Sequence, residues 1–284
     1  MGIEKVAVFI KRNKSEAGTL AKHVIRWISR RGLTPLVPEN EAKMYNIGEG
    51  QPTEQVFNEC DMVIVLGGDG TFLAAARLLG GRQAPIMGVN LGSMGFLTEI
   101  RRDEVQESLD LVLAEKATII RRMRLQVDIV TDGETSSYSA LNDVVITKTA
   151  LARIYDLRIA VGGIYMNIVR ADGLIISTPT GSTAYNLAAG GPIVHPQTNC
   201  LVVTPICPHM LSNRPLVVPA DQKIELELVD DAEVFVTIDG QAGQELNMGD
   251  RVVTELSEQP LLVIQSPKRT YFELLRDKLH YGAR

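Results

Sequence analysis

Two stretches carry most of the chemistry open to this chain. The first is Gly67-Gly68-Asp69-Gly70-Thr71, set where the apolar run Met62-Val-Ile-Val-Leu66 gives way to a helical pattern. At the carboxyl end of a parallel strand, the following helix offers unpaired N–H groups to anions, and glycines let the backbone approach a phosphate. Asp69 does not fit simple anion binding, because a carboxylate beside phosphates is repelled unless it takes a proton or meets a bridging cation. The pentapeptide therefore points to phosphoryl transfer, against the plainer reading of an Asx-turn or helix cap.

The second stretch runs from Arg170-Ala-Asp172 through Leu174–Ile176 and Thr178-Pro-Thr-Gly-Ser-Thr183 to Ala184–Ala189 and Gly190-Gly-Pro192. It reads as a short strand, a tight turn dense in hydroxyls and a short helix. Such donors bind ribose and phosphate without net charge, and Tyr185 adds a flat face for a purine. Asn90-Leu-Gly-Ser-Met-Gly-Phe-Leu-Thr98 supplies glycines that bend the chain near the first turn. Asn142-Asp143 pairs an amide with a carboxylate, a combination suited to ribose hydroxyls or a base edge, although Asn-Asp is also an ordinary turn. Other readings lose support. No GxxxxGK[ST] occurs, Leu73 stands where a dinucleotide fingerprint needs its third glycine, and neither Ser93 nor Ser182 lies in GxSxG.

The elements that must position these residues change character along the chain. Over residues 1–116, strands alternate with helices: Val6–Ile10, a helix from a Ser15 N-cap to Gly32, a strand at Leu33–Val37, a polar connection, Met62–Leu66, a helix at Thr71–Leu79, a strand at Pro85–Asn90 and a helix at Asp103–Glu115. Alternation of this kind predicts a doubly wound α/β domain with a mainly parallel sheet. Met62–Leu66, with no polar alternation, suits a central strand. Over 117–267, β-branched runs follow one another with Asp132-Gly133, Gly162-Gly163 and Asp239-Gly240 between or after them, predicting a β-rich, largely antiparallel domain. Residues 268–284 read as a C-terminal helix that returns to the first domain.

Composition narrows the function classes. The 284 residues are 45% hydrophobic and 22% charged, within the range of globular proteins, and the net charge of −5 argues against a general nucleic-acid binder. Apolar runs fall far short of the roughly 20 residues that cross a bilayer, and no signal-peptide pattern opens the chain, so the expectation is a cytoplasmic protein without membrane or nucleic-acid partners. Cys60, Cys200 and Cys207, like the four scattered histidines, show no metal-ligand spacing, and no dedicated metal site is expected.

Taken together, GGDGT, NLGSMGFLT, LNDVVI, DGLIISTPTGSTAYNLAAGGPIV and IDGQ resemble the NAD kinase family in order and spacing. The resemblance covers motifs from Gly67 to Gln241. It implies transfer of the γ-phosphoryl group of ATP to the 2′-hydroxyl of the adenosine ribose of NAD, with magnesium arriving on ATP. It further implies Asp69 as general base, Gly70 close to the dinucleotide, and Asn142 and Asp143 on ribose or base. Arg153, Arg170 and Asp172 fall at dinucleotide-binding positions, Thr183, Ala184, Tyr185, Asn186, Leu187 and Ala188 wrap the adenosine end, and Gln241 is a further binding position. A homodimer or homotetramer is also implied. GGDG alone is shared with lipid and sphingoid kinases, and a non-catalytic dinucleotide sensor would use the same pocket; both stand as alternatives.

Overall fold

The computed structural model describes residues 2–149, 154–210, 212–280 and 282. They form two compact units, one of residues 1–121 and 261–284, the other of residues 122–260. The divides lie a few residues inside the 117 and 267 read from sequence, because Ile119–Arg122 and Leu261–Ile264 both enter the sheet of the first unit.

In the first unit the fully buried strand Met62–Gly67 pairs in parallel with Lys5–Ile10 on one side and Ile86–Asn90 on the other. With both faces covered, such a strand has no solvent side to mark with polar residues. The sheet runs Thr34–Leu36, Lys5–Ile10, Met62–Gly67, Ile86–Asn90, Leu261–Ile264, Ile119–Arg122, with Ile100–Arg101 added to Ile86–Asn90. The chain leaves Lys5–Ile10 toward one edge and comes back on its other side at Met62–Gly67. In sheets of this kind ligands bind beyond the carboxyl ends of the strands at such a reversal, and Asp69 stands two residues past the end of Met62–Gly67. The helix Ser15–Arg30 buries Ala17, Gly18, Ala21, Val24 and Ile28 against this sheet's core. Each fully buried Val or Ile contributes roughly 1.5–3 kcal/mol.

Three local readings are corrected. The N-cap of the first helix is Lys14, not Ser15, and its side chain leaves the cap to donate to the carbonyl of Leu91 at 3.0 Å. The polar connection contains two short helices, Glu39–Tyr45 and Thr53–Glu59. The helix after the glycine turn opens at Asp69, two residues before Thr71. At the other end of the chain, the helix Tyr271–Leu279 starts with a capping box between Thr270 and Glu273, and Tyr271 lies 6.4 Å from Phe96 between ring centroids.

The second unit holds two six-stranded sheets in which all recorded pairs are antiparallel. Leu125, Val127 and Ile129 from one sheet and Val144, Ile146, Leu174 and Ile176 from the other share a single core. Several strands alternate buried and part-exposed residues, as in Leu125–Thr131, Ile224–Leu228 and Val234–Ile238. Gly173–Ser177 does not, and is buried throughout. The segment after it folds back over the same sheet, where Thr204 of the neighbouring strand donates to Asn186 at 2.6 Å. The Asp132-Gly133 hairpin has φ of +52° and +82°, the left-handed pair that a two-residue connection with matching twist requires.

Candidate functional site

In the first unit the site is built around one carboxylate. Asp69 begins the helix Asp69–Leu79 and remains part-exposed. Its Oδ2 accepts the N–H of Phe96 at 2.9 Å. Its Oδ1 accepts the N–H groups of Leu97 at 3.1 Å and Thr98 at 3.0 Å, and the Thr98 hydroxyl at 2.9 Å. The loop that supplies these donors is shaped by Asn90, whose Oδ1 accepts the Gly92 N–H at 2.6 Å while its Nδ2 donates to the Ser93 carbonyl at 2.6 Å. Gly95 is needed for the approach, since a Cβ there would lie 1.9 Å from Asp69 Oδ1. The glycines read from sequence as bending the chain near the first turn thus bring its backbone onto the acid. Gly70, next to it, is exposed.

In the second unit, Asn142 and Asp143 sit on a turn held from beneath by Asp239, the aspartate of IDGQ. The Asp239 carboxylate accepts the N–H groups of Leu141 at 2.9 Å, Asn142 at 2.7 Å and Asp143 at 3.1 Å. From the hydroxyl-rich turn, Thr178 donates its N–H to the Asn142 carbonyl at 2.9 Å and its hydroxyl to the Leu141 carbonyl at 2.6 Å. The two motifs therefore form one structure. Burial pushes the Asp143 carboxyl up to about 7, with the neighbouring charge of Asp239 adding to it. Burial also raises Asp239, against its three N–H donors and the positive charge of buried Arg124.

Around this turn the other expected residues fall into two groups. Tyr185 and Ala188 are exposed, and Thr183, Ala184 and Leu187 partly so, leaving surface for a ligand. Asn186 is different: it is fully buried, and its amide donates to the carbonyls of Ser182 at 3.0 Å and Pro192 at 3.1 Å while accepting from Thr204. Its polar atoms hold the turn rather than face outward. Asp172 pairs with Lys148 at 2.9 Å, and Arg170 lies 3.9 Å from Asp156. Lys148, Ile154, Arg170 and His209 line an open cleft of about 530 Å³. Gln241 is exposed on the turn after Asp239. Arg153 lies outside the described residues.

Sequence reasoning missed three contributors: Thr98, Asp239 and Arg124. An Asp before Gly reads as a turn residue, which Asp239 also is, at φ +51°. The available signal was its place beside Gln241 in IDGQ. Among the described residues no group of three His, Cys, Asp or Glu side chains is arranged to hold a metal, and no helix is long and apolar enough to cross a membrane.

Comparison with known proteins agrees with this geometry. Residues 6–117 match the ATP-NAD kinase N-terminal domain and residues 141–266 the ATP-NAD kinase C-terminal domain. The chain is 46% identical to an NAD kinase of Geotalea daltonii and 46% identical to one of Geobacter sulfurreducens, each comparison covering 99% of this chain and 100% of the relative. An NAD kinase from Archaeoglobus fulgidus, solved in complex with ATP, superposes with a TM-score of 0.74 at 26% identity, over 96% of this chain and 98% of that one. A yeast NADH kinase complexed with NADH shares the fold at a TM-score of 0.93 and 24% identity, over 99% of this chain and 89% of that one. With both domain types in order and such identity across its whole length, the chain belongs to the NAD kinase family.

Proposed function

We propose that this chain is an NAD kinase in which Asp69 is the general base for transfer of the γ-phosphoryl group of ATP to the 2′-hydroxyl of the adenosine ribose of NAD. The full-length identity to NAD kinases carries the activity. The part-exposed, four-fold hydrogen-bonded carboxylate at a helix start supports the role of Asp69. A ribose hydroxyl is a weak nucleophile at neutral pH. Phosphoryl transfer depends on positioning and charge neutralisation, and a general base adds typically about 10²–10⁴-fold. Asp69 takes the hydroxyl proton as the ribose oxygen bonds to the γ-phosphorus. The bond to the β,γ-bridging oxygen breaks, and ADP leaves.

Asn142 and Asp143 hold ribose or base hydrogen bonds, and Thr183, Ala184, Tyr185, Leu187 and Ala188 receive the adenosine end, with Asn186 as their internal brace. Gly70, Arg170, Asp172 and Gln241 complete the dinucleotide contacts. Magnesium belongs to the triphosphate in this reading. Magnesium keeps several waters and is held largely by substrate phosphates, so the reading requires no dedicated protein cage. When bound, the cation neutralises phosphate charge.

We also assign the chain to the cytoplasm and to a homo-oligomer. The edge strand Ile164–Ala171 exposes Ile164, Tyr165 and Ile168, and the other sheet's edge, Leu216–Pro219, exposes Leu216 and Val217. Light scattering on the eluting species checks the assembly. Incubation with ATP, magnesium and NAD, followed by NADP assay, tests the activity. Phosphorylation of diacylglycerol instead would move the chain to the lipid kinases, and NAD binding without transfer would make it a sensor.

A further inference from the structure

The four hydrogen bonds to Asp69 are unevenly shared. Oδ1 accepts three, from Leu97 N, Thr98 N and Thr98 Oγ1, whereas Oδ2 accepts one, from Phe96 N. A carboxylate oxygen offers about two lone-pair sites, so Oδ1 is saturated and Oδ2 keeps one open. The Thr98 side chain is fully buried and its hydroxyl has two partners, Asp69 Oδ1 at 2.9 Å and Asn90 Nδ2 at 3.1 Å. The direction of that hydroxyl is fixed by its neighbours. Asn90 Oδ1 is committed to the Gly92 N–H, so its other terminus is the amide nitrogen, which can only donate to Thr98. The Thr98 proton must then point at Asp69.

We infer that Thr98 is a positioning residue for phosphoryl transfer: its hydroxyl, oriented by Asn90, locks Asp69 Oδ1 and leaves Oδ2 as the atom that accepts the ribose proton. This rests on the reading of Asp69 as base. In the step itself the ribose O–H bond breaks and its proton goes to Oδ2. The freed electron pair forms the bond to the γ-phosphorus, the pair of the broken P–O bond departs with ADP, and Oδ2 later returns the proton to water.

Thr98→Val keeps the side-chain volume and the backbone N–H but removes the hydroxyl. Misplacing a reacting group by about 1 Å costs on the order of 10²-fold, so kcat is expected to fall roughly 10–100-fold. The KM values for NAD and ATP should stay within about two-fold. Thr98→Ser, which restores the donor, should recover most of kcat. A Thr98→Val enzyme with wild-type kcat, alongside an inactive Asp69→Ala, overturns the positioning role and leaves the base standing. Full turnover in Asp69→Ala removes the base itself. Loss in Thr98→Val that Thr98→Ser does not repair assigns Thr98 to packing alone and also overturns the inference. Should the valine variant not fold, Thr98→Ala against Thr98→Ser, both with melting curves, decides by the same kcat criterion.

Discussion

Asp69 and Asp239 are held in the same way and put to different ends. Each carboxylate accepts three consecutive backbone N–H groups, from Phe96–Thr98 in one case and Leu141–Asp143 in the other. Asp69 stays part-exposed on a helix start, with a hydroxyl as its fourth donor. Asp239 is part-exposed as well, but it has the charge of buried Arg124 beside it, and it holds the turn that carries Asn142 and Asp143. In the first case the loop serves the acid; in the second the acid serves the loop. The further partner, a hydroxyl for one and a nearby cation for the other, separates the two uses more than the backbone bonds do.

The largest effect that would break this contrast is expected at the first acid. Asp69→Asn should cut kcat by about 10²–10⁴-fold while calorimetry still detects NAD binding. An active Asn variant would put Asp69 in the same scaffolding role as Asp239. The amide swap also turns an NH₂ toward backbone donors, so Asp69→Ala belongs in the same series. The mirror experiment is Asp239→Ala, which leaves three N–H groups without their acceptor and removes the negative charge near buried Arg124. It should lower stability by about 3–5 kcal/mol in a urea titration, with activity following the folded fraction. A variant of normal stability but lost turnover would make Asp239 a second chemical acid.

A smaller effect sharpens the role of burial. With its pKa raised to about 7, the Asp143 carboxyl binds its proton more tightly in the folded chain than in the unfolded one. Its stabilising contribution is therefore present below about pH 4 and is lost as the pH rises toward 7. Asp143→Asn should remove that decline and gain on the order of 2–4 kcal/mol relative to wild type between pH 4 and 8. Parallel urea midpoints for the two proteins across that range would contradict it. The smallest change concerns Asn186, where truncation to Ala should cost about 1–3 kcal/mol through its buried partners. KM for NAD should stay within about two-fold, whereas a large rise would return Asn186 to the ligand-contacting group.

Much of the framework could be read from residue order because burial leaves a mark there. Met62–Leu66 lacks polar alternation because both faces are covered, and Val234–Ile238 alternates because one face is. The helices Glu39–Tyr45 and Thr53–Glu59 escaped notice because each buries only two residues. A parallel bridge between Pro38 and Gln51 joins the chain beside them, a tertiary contact with no local signature. At the site, Asp69 was legible as an acid in a phosphate-like turn, but its cradle was not, since the donors are mainly backbone N–H groups that any residue type supplies. Asn186 was drawn into the ligand group by its neighbours; only its bonds to Ser182, Pro192 and Thr204 reveal an internal role.

The strand Leu261–Ile264 fills the place between Ile86–Asn90 and Ile119–Arg122, and just beyond it Arg269 grips Glu104 through two bonds of 2.6 and 2.7 Å. A ribosome delivers these pieces after the whole of the second unit. A nascent fragment ending before them holds the glycine turn and its aspartate but has a gap in the sheet, and Phe96 lacks Tyr271. The sheet that leads into the aspartate is thereby completed only after residues 122–260 have been made.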